Sequence, residues 1–134
     1  MRNGINMDQF QARAYLLNKP LTLETFPFGD GVGVFKVKNK IFATLALGKM
    51  GKGESGNQNT WWMNLKCDPQ EAIMLRDIFS AVIPGYHMNK VHWNTIKLDG
   101  SIPNGEIERM IDNSYMLVVS NMTKKDQQAI LLHT

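Results

Sequence analysis

The sequence is short of cysteine, of long apolar runs, and of acid in its strand-like segments. Each shortage narrows what the chain can be. Cys67 is the only cysteine. An internal disulfide is therefore excluded, and nothing suggests a secreted, cross-linked scaffold. No apolar run approaches the ~20 residues that span a bilayer. The opening segment MRNGINMDQFQARAYLL is interrupted by Asp8, Gln9, Gln11 and Arg13, so it does not read as a signal peptide. The expectation is a cytoplasmic protein that does not engage a membrane. With 134 residues, 43% of them hydrophobic and 20% charged, residues 1–134 suit a single domain around one core.

The shortage of acid is local. Net charge is only +3. Between Gly31 and Cys67, however, Lys36, Lys38, Lys40, Lys49, Lys52 and Lys66 stand against Glu54 alone. From Ile78 to Leu98 there are Lys90 and Lys97 and no acid. By contrast, Asp68 to Asp77 holds three acids and one base, and Asp99 to Asp126 holds five acids and three bases.

A coarse reading places the basic segments on strands. The run from Asn6 reads as a first helix, with Gln9 completing a capping box, Phe10, Ala14 and Leu17 as its apolar stripe, and Pro20 as its stop. LTLETFPFGDG reads as a loop. VGVFKVKNKIFATLAL reads as a hairpin turning at Asn39, with Phe35 and Val37 alternating with Lys36 and Lys38. The Gly-rich GKMGKGESGNQN reads as a mobile loop. TWWMNLKC is a third strand, with Trp61, Met63 and Leu65 on one face and Trp62, Asn64 and Lys66 on the other.

Asp68 as N-cap, Pro69 in the first turn and Glu71 completing a capping box then start a helix with the stripe Ala72, Leu75, Ile78 and Phe79. A short strand follows, broken at Pro84-Gly85. In the next strand Asn94, Ile96 and Leu98 alternate with Trp93, Thr95 and Lys97. The longest helix carries Ile107, Met110, Ile111, Tyr115 and Val118 on one side, and Thr123 caps a last short helix. Helices between runs of antiparallel strands predict a two-layer α+β domain with helices on one sheet face.

The strand phase then sets Lys36, Lys38, Lys66 and Lys97 beside Trp62 and Trp93 on the opposite face. Lysines attract phosphates, and indole rings stack on bases. The plainer reading is that the lysines keep an exposed face solvated. Motif spacing offers no catalytic chemistry. His87 and His92 are five apart, so on one strand they point to opposite faces. Cys67 reads as core, no nucleophile elbow is present, and neither GDGVGV nor GKMGKGES fits a phosphate loop. The expectation is no enzyme, no metal and no cofactor.

The segments TFPFGDGVGVFKVKNKIFATL, NLKCDPQEAIMLRDIF, PGYHMNKVHWNTIKLDGSIP and MIDNSYMLVV occur in order from about Pro20 to the C-terminus. Together they resemble the MmcQ/YjbR family, described as a domain of unknown function. The resemblance implies a fold like the type III secretion chaperones, ordered α-β3-α-β2-α. It also implies a DNA-binding label, through likeness to a phage "double wing" domain. Its motif residues here are Lys36, Lys66, Arg76, His87, Asn89, Lys90, His92, Trp93, Asn94, Asp99, Ser114 and Tyr115. The chain departs from the pattern in a longer loop from Gly48 to Asn59 and in a few extra N-terminal residues.

The leading expectation is a weak DNA-binding module. Lys36, Lys38, Lys66, Lys90 and Lys97 would meet phosphates, and His92 with Trp93 or Trp62 would complete the contact. The alternative is a chaperone-like domain that binds a protein partner. A small-ligand pocket or enzyme site near His87, His92, Trp93 and Tyr115 ranks last.

Overall fold

The structure is a computed structural model that describes residues 7–48 and 60–133. It is an α+β domain with one six-stranded antiparallel sheet and four helices. The elements in chain order are α1 (Gln9–Leu17), β1 (Thr22–Thr25), β2 (Val32–Val37), β3 (Lys40–Leu47), β4 (Trp61–Lys66), α2 (Pro69–Ile78), β5 (Val82–Pro84), β6 (Trp93–Lys97), α3 (Asn104–Ser120) and α4 (Lys124–Leu131). In space the strands run β1-β2-β3-β4-β6-β5. The Gly-rich loop lies outside the described residues.

One sheet face carries the core. Phe35, Val37, Leu45, Met63, Leu65, Val82 and Ile96 meet Leu16 of α1, Leu75 of α2, Ile107, Met110, Ile111, Val118 and Val119 of α3, and Ile130 of α4. The phase of β4 matches the sequence: Met63 and Leu65 are buried on the helix side, and Trp61 packs against them.

Four expectations need correction. First, α1 begins two residues later than its apolar pattern suggested. Its capping box joins Asp8 and Gln11, while Asn6 lies outside the described residues. Its buried face also differs from the expected stripe: Ala12 and Leu16 are buried and Phe10 is 70% exposed. Second, the segment read as a loop after α1 contains the edge strand β1. A turn precedes it, closed by the Thr22 amide on the Lys19 carbonyl, with Leu21 at φ 58°. Third, Lys38 is not on a strand. It and Asn39 form the two-residue hairpin turn, with φ of 49° and 66°, the type I′ geometry that matches strand twist. Fourth, Glu71 does not complete a capping box. Asp68 alone accepts from the Gln70 and Glu71 amides, while the Glu71 carboxylate pairs with Arg109 of α3 at 2.8 Å, and Ile78 is solvent-exposed.

Two family-marker residues have structural roles. The Ser114 hydroxyl donates to the Phe42 carbonyl (2.6 Å) and accepts from the Lys66 amide (2.9 Å). It thus continues the β3-β4 ladder beyond its last pair, Ala43 with Leu65. Tyr115 lies edge-on to Phe42 and donates to the Pro20 carbonyl at 2.6 Å, tying α3 to the turn before β1. Burial raises the Tyr115 phenol pKa.

Candidate nucleic-acid interface

Strand register sorts the face opposite the helices into three rows. The first runs Leu23, Lys36, Ile41, then Lys66 and Trp93. The second runs Thr25, Val34, Thr44, Asn64, Thr95 and Ile83. The third runs Val32, Ala46, Trp62 and Lys97. Rows lie about 7 Å apart along the strands, twice the rise per residue. No carboxylate is in any row. Glu24 is the only acid in the six strands, and it turns to the helix side, where Arg13 of α1 binds it at 3.1 Å. Gly33 makes room for it, since a Cβ there would collide with the Glu24 carboxylate.

This face is less open than the sequence suggested. The second and third rows are largely buried: Val34 and Thr95 are fully covered, and Trp62 is only 6% exposed. The Gly85–His92 segment between β5 and β6 folds back over the β4-β6 half. The side chains of Asn64 and Thr95, which are cross-strand partners, capture it. Thr95 Oγ1 accepts from the Tyr86 amide at 2.8 Å and donates to Asn64 Oδ1, and Asn64 Nδ2 donates to the Tyr86 carbonyl at 3.2 Å. Both backbone polar groups of Tyr86 are thereby satisfied, and its ring stands edge-on to Trp62 at 5.8 Å. Lys97 Nζ lies 4.9 Å over the same indole. Trp62 is therefore a buried support, and the contact role expected of it is corrected.

The loop is held at several further points. The Gly85 amide donates to Trp93 (2.9 Å), and a side chain on Gly85 would strike the Trp93 Cβ. Lys90 Nζ donates to the Gly85 carbonyl at 2.9 Å, so its ammonium closes the loop. Asn89 Oδ1 accepts from the Val91 and His92 amides, and Arg76 of α2 reaches both the Lys90 carbonyl and Asn94 Oδ1. His87 sits at the loop tip with φ 60° and is exposed.

Of the residues marked from sequence, Lys36, Lys66 and Trp93 share the first row and are partly exposed. His92 is exposed just before β6, and Lys38 is exposed at the far hairpin turn. Lys38 and Lys36 line a cleft of about 420 Å³ that also contains Asp126 of α4, so a carboxylate tempers the charge there. Lys97 and Lys90, both marked from sequence, have partners within the fold. Sequence reasoning gave Asn64 and Tyr86 no part in the site, and named His87 as a family marker and in the last-ranked pocket, not on the contact face. The Pro-Gly break before Tyr86 was visible, but the return of the chain over the sheet was not.

The model of the family described as YjbR matches residues 17–117. The chain belongs to the YjbR family. The uncharacterised protein YbdF of Escherichia coli O157:H7 is 32% identical, covering 89% of this chain and 90% of that one. The uncharacterised YjbR of Escherichia coli K12 is 39% identical across 52% of this chain and 58% of its own length. Among solved structures, DR2400 of Deinococcus radiodurans aligns with a TM-score of 0.80 at 30% identity, covering 97% of this chain and 91% of its own. A Pseudomonas syringae protein aligns at 0.72 and 30% identity, covering 83% and 98%. Membership thus fixes family and fold, and the curated relatives are themselves uncharacterised. Among the described residues, no helix is long and apolar enough to cross a membrane.

Proposed function

We propose that this protein is a weak nucleic-acid-binding module that uses the first row of the outer sheet face, Lys36, Lys66 and Trp93, with Lys38 and His92 at its margins. One observation carries the reading: the outward phase of the six strands holds lysines and no carboxylate, while α2 and α3 carry Glu71, Asp77, Glu106, Glu108 and Asp112 against Arg76 and Arg109. The molecule is therefore electrostatically two-sided, and a polyanion is drawn to the sheet side. Phosphate contacts make affinity fall steeply with salt. Titration of single-stranded and duplex DNA at two salt concentrations tests this. Binding at low salt that weakens at higher salt is expected, and no binding at low salt ends the reading.

A second reading, a site for a protein partner, has its own observation. Met74 and Ile78 of α2 are exposed beside Leu75 and Phe79 in a groove of about 630 Å³ against Glu106 and Arg109 of α3. Exposed apolar groups in a groove favour helix or peptide docking. Recovery of a stoichiometric partner whose binding is lost in Met74→Glu supports this reading; unchanged binding removes the groove from it.

A further inference from the structure

We infer that His87 is a stacking platform for an unpaired nucleobase, so that the ligand of this face is single-stranded nucleic acid. This narrows the nucleic-acid reading above and rests on it. The geometry comes from a column of side chains rising from the sheet. Lys97 Nζ lies over the Trp62 indole, Trp62 meets Tyr86 edge-on at 5.8 Å, and the Tyr86 ring lies 4.1 Å from the His87 imidazole at 48°. Trp62 is buried, Tyr86 is partly buried, and His87 is exposed. The column thus begins in the fold and ends at solvent.

The backbone beneath the imidazole is held in an uncommon state. His87 has φ 60°, a left-handed angle that glycine and asparagine adopt with less strain. Such angles persist where the surroundings over-determine them, and they concentrate at functional positions. Here the surroundings are the Asn64-Thr95 clamp on Tyr86, the Met88 amide bonded to the Gly85 carbonyl at 3.2 Å, and the Lys90 ammonium on that same carbonyl. A turn alone would need no ring at position 87. Lys66 and Trp93 lie one row away, about 7 Å along the strands from the Asn64-Thr95 pair that holds the loop. The column itself rises from Trp62, in the row on the other side of that pair and about 13 Å from Lys66 along β4, so a single strand held by Lys66 would have to cross the Asn64-Thr95 row to bring a base onto the imidazole. A flat ring pre-positioned at low entropic cost stacks on any base whose face is free, whereas in a duplex those faces are already stacked.

The test is anisotropy of a labelled oligothymidine and of a duplex of equal length at low salt, with wild type, His87→Gly and His87→Tyr. Glycine removes the ring and accepts the left-handed angle, so the loop keeps its path; circular dichroism and a melting curve check each variant. We expect the wild type to prefer the single strand. His87→Gly should weaken single-strand binding by about tenfold and leave duplex binding unchanged, and His87→Tyr should restore it. If single strand and duplex bind alike, or His87→Gly binds the single strand as wild type does, the platform is refuted and the nucleic-acid reading stands. If neither DNA binds, both fall together.

Discussion

Cys67 shows how position alone controls the chemistry of a side chain. Its thiol sits at the mouth of a narrow slot under α2 and α3, shared with Glu71 and Asn113. Burial, followed by the nearby Glu71 and Asp68 carboxylates, raises its pKa from 9 to about 11. Two units mean about a hundredfold less thiolate at neutral pH, and thiolate is the reacting form. Alkylation by iodoacetamide at pH 8 should therefore run about a hundredfold more slowly than for a free cysteine, and should accelerate as pH rises towards 11. Fast labelling at pH 8 would show an open, activated thiol instead. Thr95 gives a second test at this scale. Its hydroxyl is the joint between sheet and loop, accepting from Tyr86 and donating to Asn64. Thr95→Val keeps the shape and leaves two buried polar partners unmatched, at about 1–3 kcal/mol each. Urea denaturation should show a loss of about 2–6 kcal/mol, with Tyr86 and Trp62 more exposed to quencher in the native state.

Among the elements, sequence legibility divides along a physical line. The β2-β3 hairpin, the inward phase of β4 and the Asp68 start of α2 could all be read, because alternation and capping are local properties. The stripe of α1 could not. Its few apolar residues fit more than one face, and packing against the sheet selects Ala12 and Leu16 over Phe10, Ala14 and Leu17. Strand β1 was hidden because four residues, TLET, carry little pattern; its existence depends on pairing with β2. The phase of Trp62 was correct, but phase does not reveal whether a face is covered. The cover arrives from residues 85–92, through contacts distant in sequence: Asn64 with the Tyr86 carbonyl, 22 positions away, and Trp62 with the Tyr86 ring. The join between α3 and the sheet offers a prediction at this scale. Ser114 alone bridges the Phe42 carbonyl and the Lys66 amide, so Ser114→Ala strands a donor and an acceptor in the core. A loss of about 2 kcal/mol or more is expected, with faster exchange of the Lys66 amide in hydrogen-exchange measurements. Unchanged protection at Lys66 would mean that the ladder closes without the hydroxyl.

For the whole molecule, the two-layer arrangement also segregates charge. Helices α2 and α3 bear five acids against two arginines, and the strands bear Lys36, Lys40, Lys66 and Lys97 against Glu24. This division was partly legible in the sequence, because the acid-free stretch from Ile78 to Leu98 contains β5 and β6 and the acid-rich stretch from Asp68 to Asp77 falls on α2 and its cap. The sequence placed seven residues, Lys36, Lys38, Lys66, Lys90, His92, Trp93 and Lys97, on one surface. The fold sets Lys36, Lys66 and Trp93 in one row, gives Lys90 and Lys97 internal partners, and leaves His87 exposed at the loop tip. Net charge of +3 is modest, so affinity should come from this local concentration of charge and not from the molecule as a whole.

The salt dependence of single-stranded DNA binding tests that claim most directly, measured for wild type, for Lys36→Ala/Lys66→Ala, and for Asp77→Lys on the helix side. If the sheet face holds the phosphates, the double variant should bind more weakly, and its slope of log affinity against log salt should be shallower by about 1.4, the loss of two contacts on a single strand. Asp77→Lys, which raises the net charge by two on the opposite side, should change affinity little. A double variant with the wild-type slope, or an Asp77→Lys variant that binds much more tightly, would contradict the account.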